Sequence, residues 1–268
     1  MDIIQVITDE LKVQKWQVEA AVKLIDEGCT IPFISRYRKE ATGSLNDEQL
    51  RTLHERLLYL RNLEDKKNQV LTSIEEQGKL TPELKKQILD AKTLVVVEDL
   101  YRPYRPKRRT RAIIAKEKGL EPLANIIMLQ MTKKPLEEEA KAFLSEEKGV
   151  ETVEDALNGA KDILAETISD EADYRIYIRD LTMKKGSVAS AAKKPEESSV
   201  YEMYYEFEEP IKKLAGHRVL ALNRGEKEKI LTVKVNAPEE EILGWLQKQV
   251  LAKDNPITTP VLREVVED

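Results

Sequence analysis

Two groups of residues have the types and spacing to act on an anionic polymer. The first is Tyr101-Arg102-Pro103-Tyr104-Arg105-Pro106-Lys107-Arg108-Arg109-Thr110-Arg111, in which six of eleven side chains are cationic, two are tyrosines and none is acidic. Arginine forks onto phosphate oxygens, and tyrosine rings accept stacked bases. Pro103 and Pro106 fix φ and remove backbone donors, which predicts an extended, semi-rigid strap between helices. The second group is Arg36, Arg38 and Lys39 around Tyr37. On a helix Arg36 and Lys39 share a face while Arg38 points elsewhere. The candidate nucleic-acid-binding residues are therefore Arg36, Arg38, Lys39, Arg102, Arg105, Lys107, Arg108, Arg109 and Arg111. A competing reading makes the strap a connector, its arginines paired with carboxylates such as Glu98 and Asp99 and its tyrosines packed on a core. Charge runs are usually solvated faces, so that reading stays open.

Other chemistry finds little support. Cys29 stands alone, so no internal disulfide forms; between Gly28 and Thr30 it reads as a small packed residue, in keeping with a reducing compartment. His54 and His217 lack the CxxC or HxxxH company of a zinc site. There is no Gly-rich phosphate loop, nucleophile elbow or triad, so neither an enzyme nor a cofactor is expected. Asp170, Glu171 and Asp173 read as an exposed helix face rather than a metal site. A net charge of −5 argues against indiscriminate coating of DNA and leaves room for a local patch. No apolar run approaches the ~18 residues of a membrane span, and Met1 to Ile4 lack the layout of a leader, so a cytoplasmic protein without a membrane partner is expected.

The elements that must position these residues are mostly helical. Leu, Lys, Glu and Ala dominate, while aromatics make up only 5%. Residues 3–13 and 16–27 read as an amphipathic hairpin closed by Gly28, and 31–43 as a helix opened by Pro32 and ended by Gly43. Asn46 caps a long spine helix running to about Gln77, with Leu50, Leu53, Leu57, Leu60, Leu71 and Ile74 as its seam and Glu64 and Lys67 interrupting it. Thr81-Pro82-Glu83 opens another helix. Residues 93–101 read as a short buried helix, because a lone strand would have no partner. After the strap come short helices at 111–118, 121–131 and 135–147, in the manner of a helix-turn-helix bundle. A long helix follows from 152 to about 185. Residues 187–198 read as a flexible loop and the best internal boundary, dividing segments 1–186 and 187–268. Tyr201 to Phe207 read as core, 210–214 as a short helix, and 217–225 as a helix stopped by Gly225. Leu231 to Val235 alternate as a strand. Helices from 238 and after Pro256 and Pro260 complete a mainly α chain with at most a minor β element. The last helix has no stop signal, so the chain is expected to be a fragment of something longer.

Three stretches resemble signatures of the Tex family of bacterial transcription accessory proteins: Ile31 to Gly43, Ser73 to Leu84, and Glu98 to Thr110 followed by Gly119 to Ala124. Asp170-Glu171-Ala172, Arg175 and Gly216 to Glu226 are similar too, so the resemblance runs over essentially the whole chain. It implies an elongated helical N-terminal region with a helix-turn-helix-like part. In the family an RNase H-like domain, helix-hairpin-helix units and a C-terminal OB-fold RNA-binding domain follow, and the chain is expected to stop before them. The resemblance also implies likeness to a eukaryotic elongation factor that binds polymerase and histones. The function expected is non-enzymatic: nucleic-acid contact, RNA or DNA, and association with RNA polymerase or other transcription components. The alternative is a protein-interaction scaffold that holds polymerase or the downstream domains.

Overall fold

Leucines at alternating three- and four-residue spacing decide the first part of the molecule. In the computed structural model, which describes residues 2–268, α4 spans Asp47–Glu76 and buries Leu50, Leu53, Leu57, Leu60, Leu63, Val70 and Ile74 along one face. At ~1.5 Å per residue this helix is ~45 Å long. Asn46 accepts from the Gln49 amide while the Gln49 side chain accepts from the Asn46 amide, satisfying two donors that the first turn would otherwise leave open. Against α4 pack α1 (Ile3–Leu11), α2 (Lys15–Asp26), α3 (Ile31–Tyr37), α5 (Pro82–Asp90) and α6 (Leu94–Tyr101). Arg56 forks onto Glu10 of α1 with two bonds of 2.6 Å. Arg61 does the same to Asp26 of α2 and, by those bonds, holds its carboxyl below the usual range.

Lys67 does not interrupt the seam; it is part of it. The residue is 1% exposed, its Nζ donates to the Leu89 carbonyl at 2.7 Å, and Glu64 lies 3.3 Å away. The carbonyl end of α5 and one carboxylate thus stabilise an ammonium that burial alone would expel.

Packing divides the chain into two compact units, Met1–Tyr104 and Arg105–Asp268. This partition is a different one from the segments 1–186 and 187–268. Met1, quoted in the reading for a leader, lies outside the described residues. The second unit is built on α10 (Val153–Asp170), which carries α7 (Arg111–Glu117), α8 (Glu121–Leu129) and α9 (Leu136–Lys141) together with α14 (Thr259–Glu267). Ala112, Ala115, Ala156 and Ala160 are buried in that core, and Gly159 lies among them. The remaining elements are α11 (Ala172–Lys185), α12 (Gly216–Lys227), α13 (Glu239–Val250), and strands β1 (Ser187–Ala192), β2 (Glu206–Pro210) and β3 (Leu231–Asn236). The strands form an antiparallel sheet in the order β2-β1-β3. The mainly α class stands, with three strands where one was expected.

Several expected boundaries move, each for a local reason. Residues 187–192 are not a flexible loop but the central strand. Their small side chains give no alternating signal, and both partners are distant in sequence. The helix expected over 152–185 breaks at Glu171, whose φ of −65° and ψ of 117° leave the helical region, while Arg175 Nη1 donates to the Ser169 carbonyl at 3.2 Å. The helix from Pro135 ends at Lys141, and an antiparallel bridge between Ser145 and Val150 closes a turn where its last part was expected. Gly225 does not stop a helix: α12 continues to Lys227, and a Cβ at Gly225 would sit 2.6 Å from Leu231 Cδ1. Ile211–Lys213 is a single 3-10 turn. The aromatic stretch does pack as core, with Tyr201, Tyr204, Tyr205 and Phe207 gathered around Leu222 and Leu231.

Candidate nucleic-acid interface

Thr30 accepts from the Phe33 amide at 3.4 Å and starts α3, with Pro32 in its first turn. Only Ile34 of this helix is buried, so the side chains around it face outward. The helix ends at Tyr37 rather than Gly43. Beyond it the chain turns through Gly43, whose φ of +60° suits a residue without Cβ. A Cβ there would lie 2.5 Å from the Trp16 ring, and Gln17 Nε2 donates to the Thr42 and Gly43 carbonyls at 3.2 and 3.0 Å.

Exposed rings and cations lie on α3 and this turn. Tyr37 is 69% exposed, Trp16 52% and Phe33 38%. The Phe33 and Tyr37 rings are 5.4 Å apart and tilted by 43°, and the Arg38 guanidinium lies 5.5 Å from the Phe33 centroid. Arg38, expected to point away, instead folds back over the α3 ring it follows. Arg36, Arg38 and Lys39 are exposed, and among the described residues none of the three enters an ion pair.

The strap is built differently. Arg102–Tyr104 is a 3-10 turn rather than extended chain; only 105–110 lack helix and strand. Tyr101 shares a hydrogen bond of 3.0 Å with Ser73, and the Tyr104 carbonyl accepts from Gln77 at 2.9 Å, which fastens the first half to α4. Arg102 and Arg105 both have partners. Lys107 bonds to Asp170 and lies 3.3 Å from Glu166; Arg109 reaches Glu117 at 2.9 Å; Arg111 reaches Asp162 at 3.4 Å and Asp268 at 3.3 Å. Arg108 is exposed and makes no ion pair among the described residues. Arg36, Arg38, Lys39 and Arg102 belong to the first unit, and Arg105 to Arg111 to the second.

Asp170, read as part of an exposed face, is 6% exposed at the last residue of α10. A carboxylate there faces the negative end of the helix dipole, and Lys107 offsets that cost. The partner acids are dispersed through the sequence, and no local spacing links them to the strap. Replacing Lys107 by methionine is expected to destabilise the second unit by about 1–2 kcal/mol, since the pair is partly shielded from water. Urea unfolding followed by Trp245 fluorescence in a Trp16→Phe background measures this.

Among the described residues no group of three or more His, Cys, Asp or Glu side chains is placed to hold a metal ion, and no helix is long and apolar enough to cross a membrane.

Comparison with known proteins adds the family. Residues 1–75 match the Tex-like protein N-terminal domain, and residues 130–258 the Tex central region-like model. The uncharacterized protein YdcI of Bacillus subtilis is 47% identical over 98% of this chain and 37% of its own length. Transcriptional accessory protein Tex of Neisseria gonorrhoeae is 42% identical over 87% of the chain and 31% of its own length. The human S1 RNA-binding domain-containing protein 1 is 32% identical over 91% of the chain and 25% of its own length. The chain thus spans about a third of the length of the bacterial relatives and a quarter of the human one. Matched in both regions and aligned along nearly its whole length, the chain belongs to the Tex family and carries its N-terminal and central regions.

Proposed function

We propose that this chain is a non-enzymatic part of a transcription accessory protein and contacts single-stranded nucleic acid through the turn after α3. One observation carries the reading: Arg36, Arg38 and Lys39 stand exposed and without ion pairs on α3 and the turn after it, with Arg38 5.5 Å from the exposed Phe33 ring that neighbours Tyr37, in a chain of net charge −5. Cations without carboxylate partners are available to phosphates, and tilted exposed rings accept unpaired bases. The names of two relatives, one a transcriptional accessory protein and one with an S1 RNA-binding domain, support a nucleic-acid-related setting. Under this reading the strap is mainly a lock. Its cations are largely occupied, Arg108 excepted.

The test is a fluorescence-anisotropy titration of the chain with a labelled 12-nucleotide single-stranded RNA over a range of NaCl concentrations. Three phosphate contacts on a single strand predict a log–log salt slope of about −2. Changing Arg36, Arg38 and Lys39 together to alanine should flatten the slope, whereas Lys107→Met should leave it unchanged. A flat response in the unaltered chain removes the reading. The second reading, a protein-interaction scaffold, draws on the ion pairs of Lys107, Arg109 and Arg111. It is left standing if no strand binds.

A further inference from the structure

The two outer strands of the small sheet differ in a way that has a use. The Lys193 amide donates to the Ile230 carbonyl at 2.9 Å and the Ala192 amide to the Tyr205 carbonyl at 3.1 Å, which sets the phase of both antiparallel pairs. Bonded positions recur every two residues, so Thr232, Lys234 and Asn236 of β3 face β1, while Val233 and Val235 turn their backbone groups outward. On β2 the outward positions are Glu206, Glu208 and Pro210. Carboxylates and a proline without N–H are devices that keep a strand edge from pairing. The outward positions of β3 are valines, and its one charged residue, Lys234, stands at a position bonded to β1. Its sequence, Leu-Thr-Val-Lys-Val-Asn, favours strands, and Val235 is 61% exposed. Among the described residues, none of the hydrogen bonds outside the sheet ladder uses the Val233 or Val235 amide.

Lysines stand on and beside β3, and the Glu208 carboxylate that reaches it is held by Asn236 and Ser187. Lys193, Lys229 and Lys234 are exposed and make no ion pair among the described residues. The nearby carboxylates are occupied: Glu197 pairs with Lys194 at 2.6 Å, and Glu228 lies 4.0 Å from Arg224.

We propose that the outer edge of β3 receives an extended acidic peptide segment as a fourth strand, with its backbone on Val233 and Val235 and its carboxylates near Lys193, Lys229 and Lys234. Backbone pairing supplies affinity and the lysines supply selection, which is the usual division in strand addition. Apolar residues alternating with the acids would extend the Leu231, Val233 and Val235 face past its present rim.

The test uses the whole chain and a fluorescein-labelled peptide of three Glu-Val repeats, with three Lys-Val repeats as control. The acidic peptide should bind at least about tenfold more tightly than the basic one, and should slow amide exchange at Val233 and Val235 in nuclear magnetic resonance spectra. Val235→Pro deletes one outward donor at an exposed position without touching the bonds to β1, and should weaken binding about tenfold with an unchanged thermal melt. Should that variant melt early, Lys234→Glu keeps every backbone donor and should weaken binding to a similar degree. Failure of the acidic peptide to bind overturns the proposal, as does equal binding by both peptides or by the variants. Val233 and Val235 amides already protected in the free chain overturn it too. If that protection grows with concentration, a second copy holds the edge instead.

Discussion

Replacing Lys67 by alanine is expected to destabilise the Met1–Tyr104 unit by about 3–5 kcal/mol, a large share of a domain's whole stability. The side chain is 1% exposed in the middle of the spine helix, and its ammonium bonds to Leu89 and pairs with Glu64. Alanine removes the buried methylene stem, leaves a void between α4 and α5, strips the Leu89 carbonyl of its donor and ends the ion pair with Glu64. Methionine separates these effects. It keeps most of the volume, so Lys67→Met should cost only the unmet polar groups, about 1–3 kcal/mol. The measurement is urea unfolding followed by Trp16 fluorescence in a Trp245→Phe background, because one tryptophan lies in each unit and a two-unit chain need not unfold in one step. Equal losses for alanine and methionine would mean that packing contributes little here. No loss for either would mean that the seam does not need Lys67.

Gly159→Ala should destabilise the second unit by about 1–3 kcal/mol, although the same change in an exposed helix interior stabilises by about 1 kcal/mol. The sign reverses because of one close approach. A Cβ at Gly159 would lie 2.4 Å from Leu120 Cδ1 and 3.3 Å from Ala115 Cβ. Leu120 is 1% exposed, so making room for the new methyl means moving its Cδ1 out of the packed position it holds. The short side chains of Ala112, Ala115, Ala156 and Ala160 bring α7 close to α10, and Gly159 completes that seam. Gly159→Leu should push the helices apart and broaden the transition seen by Trp245 fluorescence. Shortening the obstacle restores room, so Leu120→Ala combined with Gly159→Ala should lose less than the sum of the single changes. A stabilised Gly159→Ala chain would contradict the close packing.

The same contrast runs through the fold. Features that arise within one or two turns of chain were legible in the residues themselves. The Asn46 cap, the Pro32 and Pro82 helix starts and Leu50, Leu53, Leu57, Leu60 and Ile74 of the α4 seam stand where local chemistry puts them, whereas Val70 rather than Leu71 is buried. Propensity, capping and helical periodicity are properties of neighbouring residues, so they need no knowledge of the fold. Recognition of the family rested on similar short-range runs, such as Ile31 to Gly43, and the comparisons agree with it.

Whatever depends on a distant partner was decided only by tertiary structure. Ser187–Ala192 became a central strand because β2 and β3 flank it on both sides, although its small side chains carry no strand signal. Lys67 looked like a break in the seam because its compensating carbonyl lies 22 residues away. Gly225 reads in the sequence as a helix stop, but both it and Gly159 are close approaches to side chains from other elements. The two basic clusters were alike in composition and turned out unlike in surroundings. Lys107, Arg109 and Arg111 meet carboxylates contributed by α7, α10 and Asp268 after α14, whereas Arg36, Arg38 and Lys39 meet none among the described residues. Charge type is written in the sequence. Whether a charge is already neutralised depends on which acids the fold brings within about 4 Å of it, and so only the folded chain decides it.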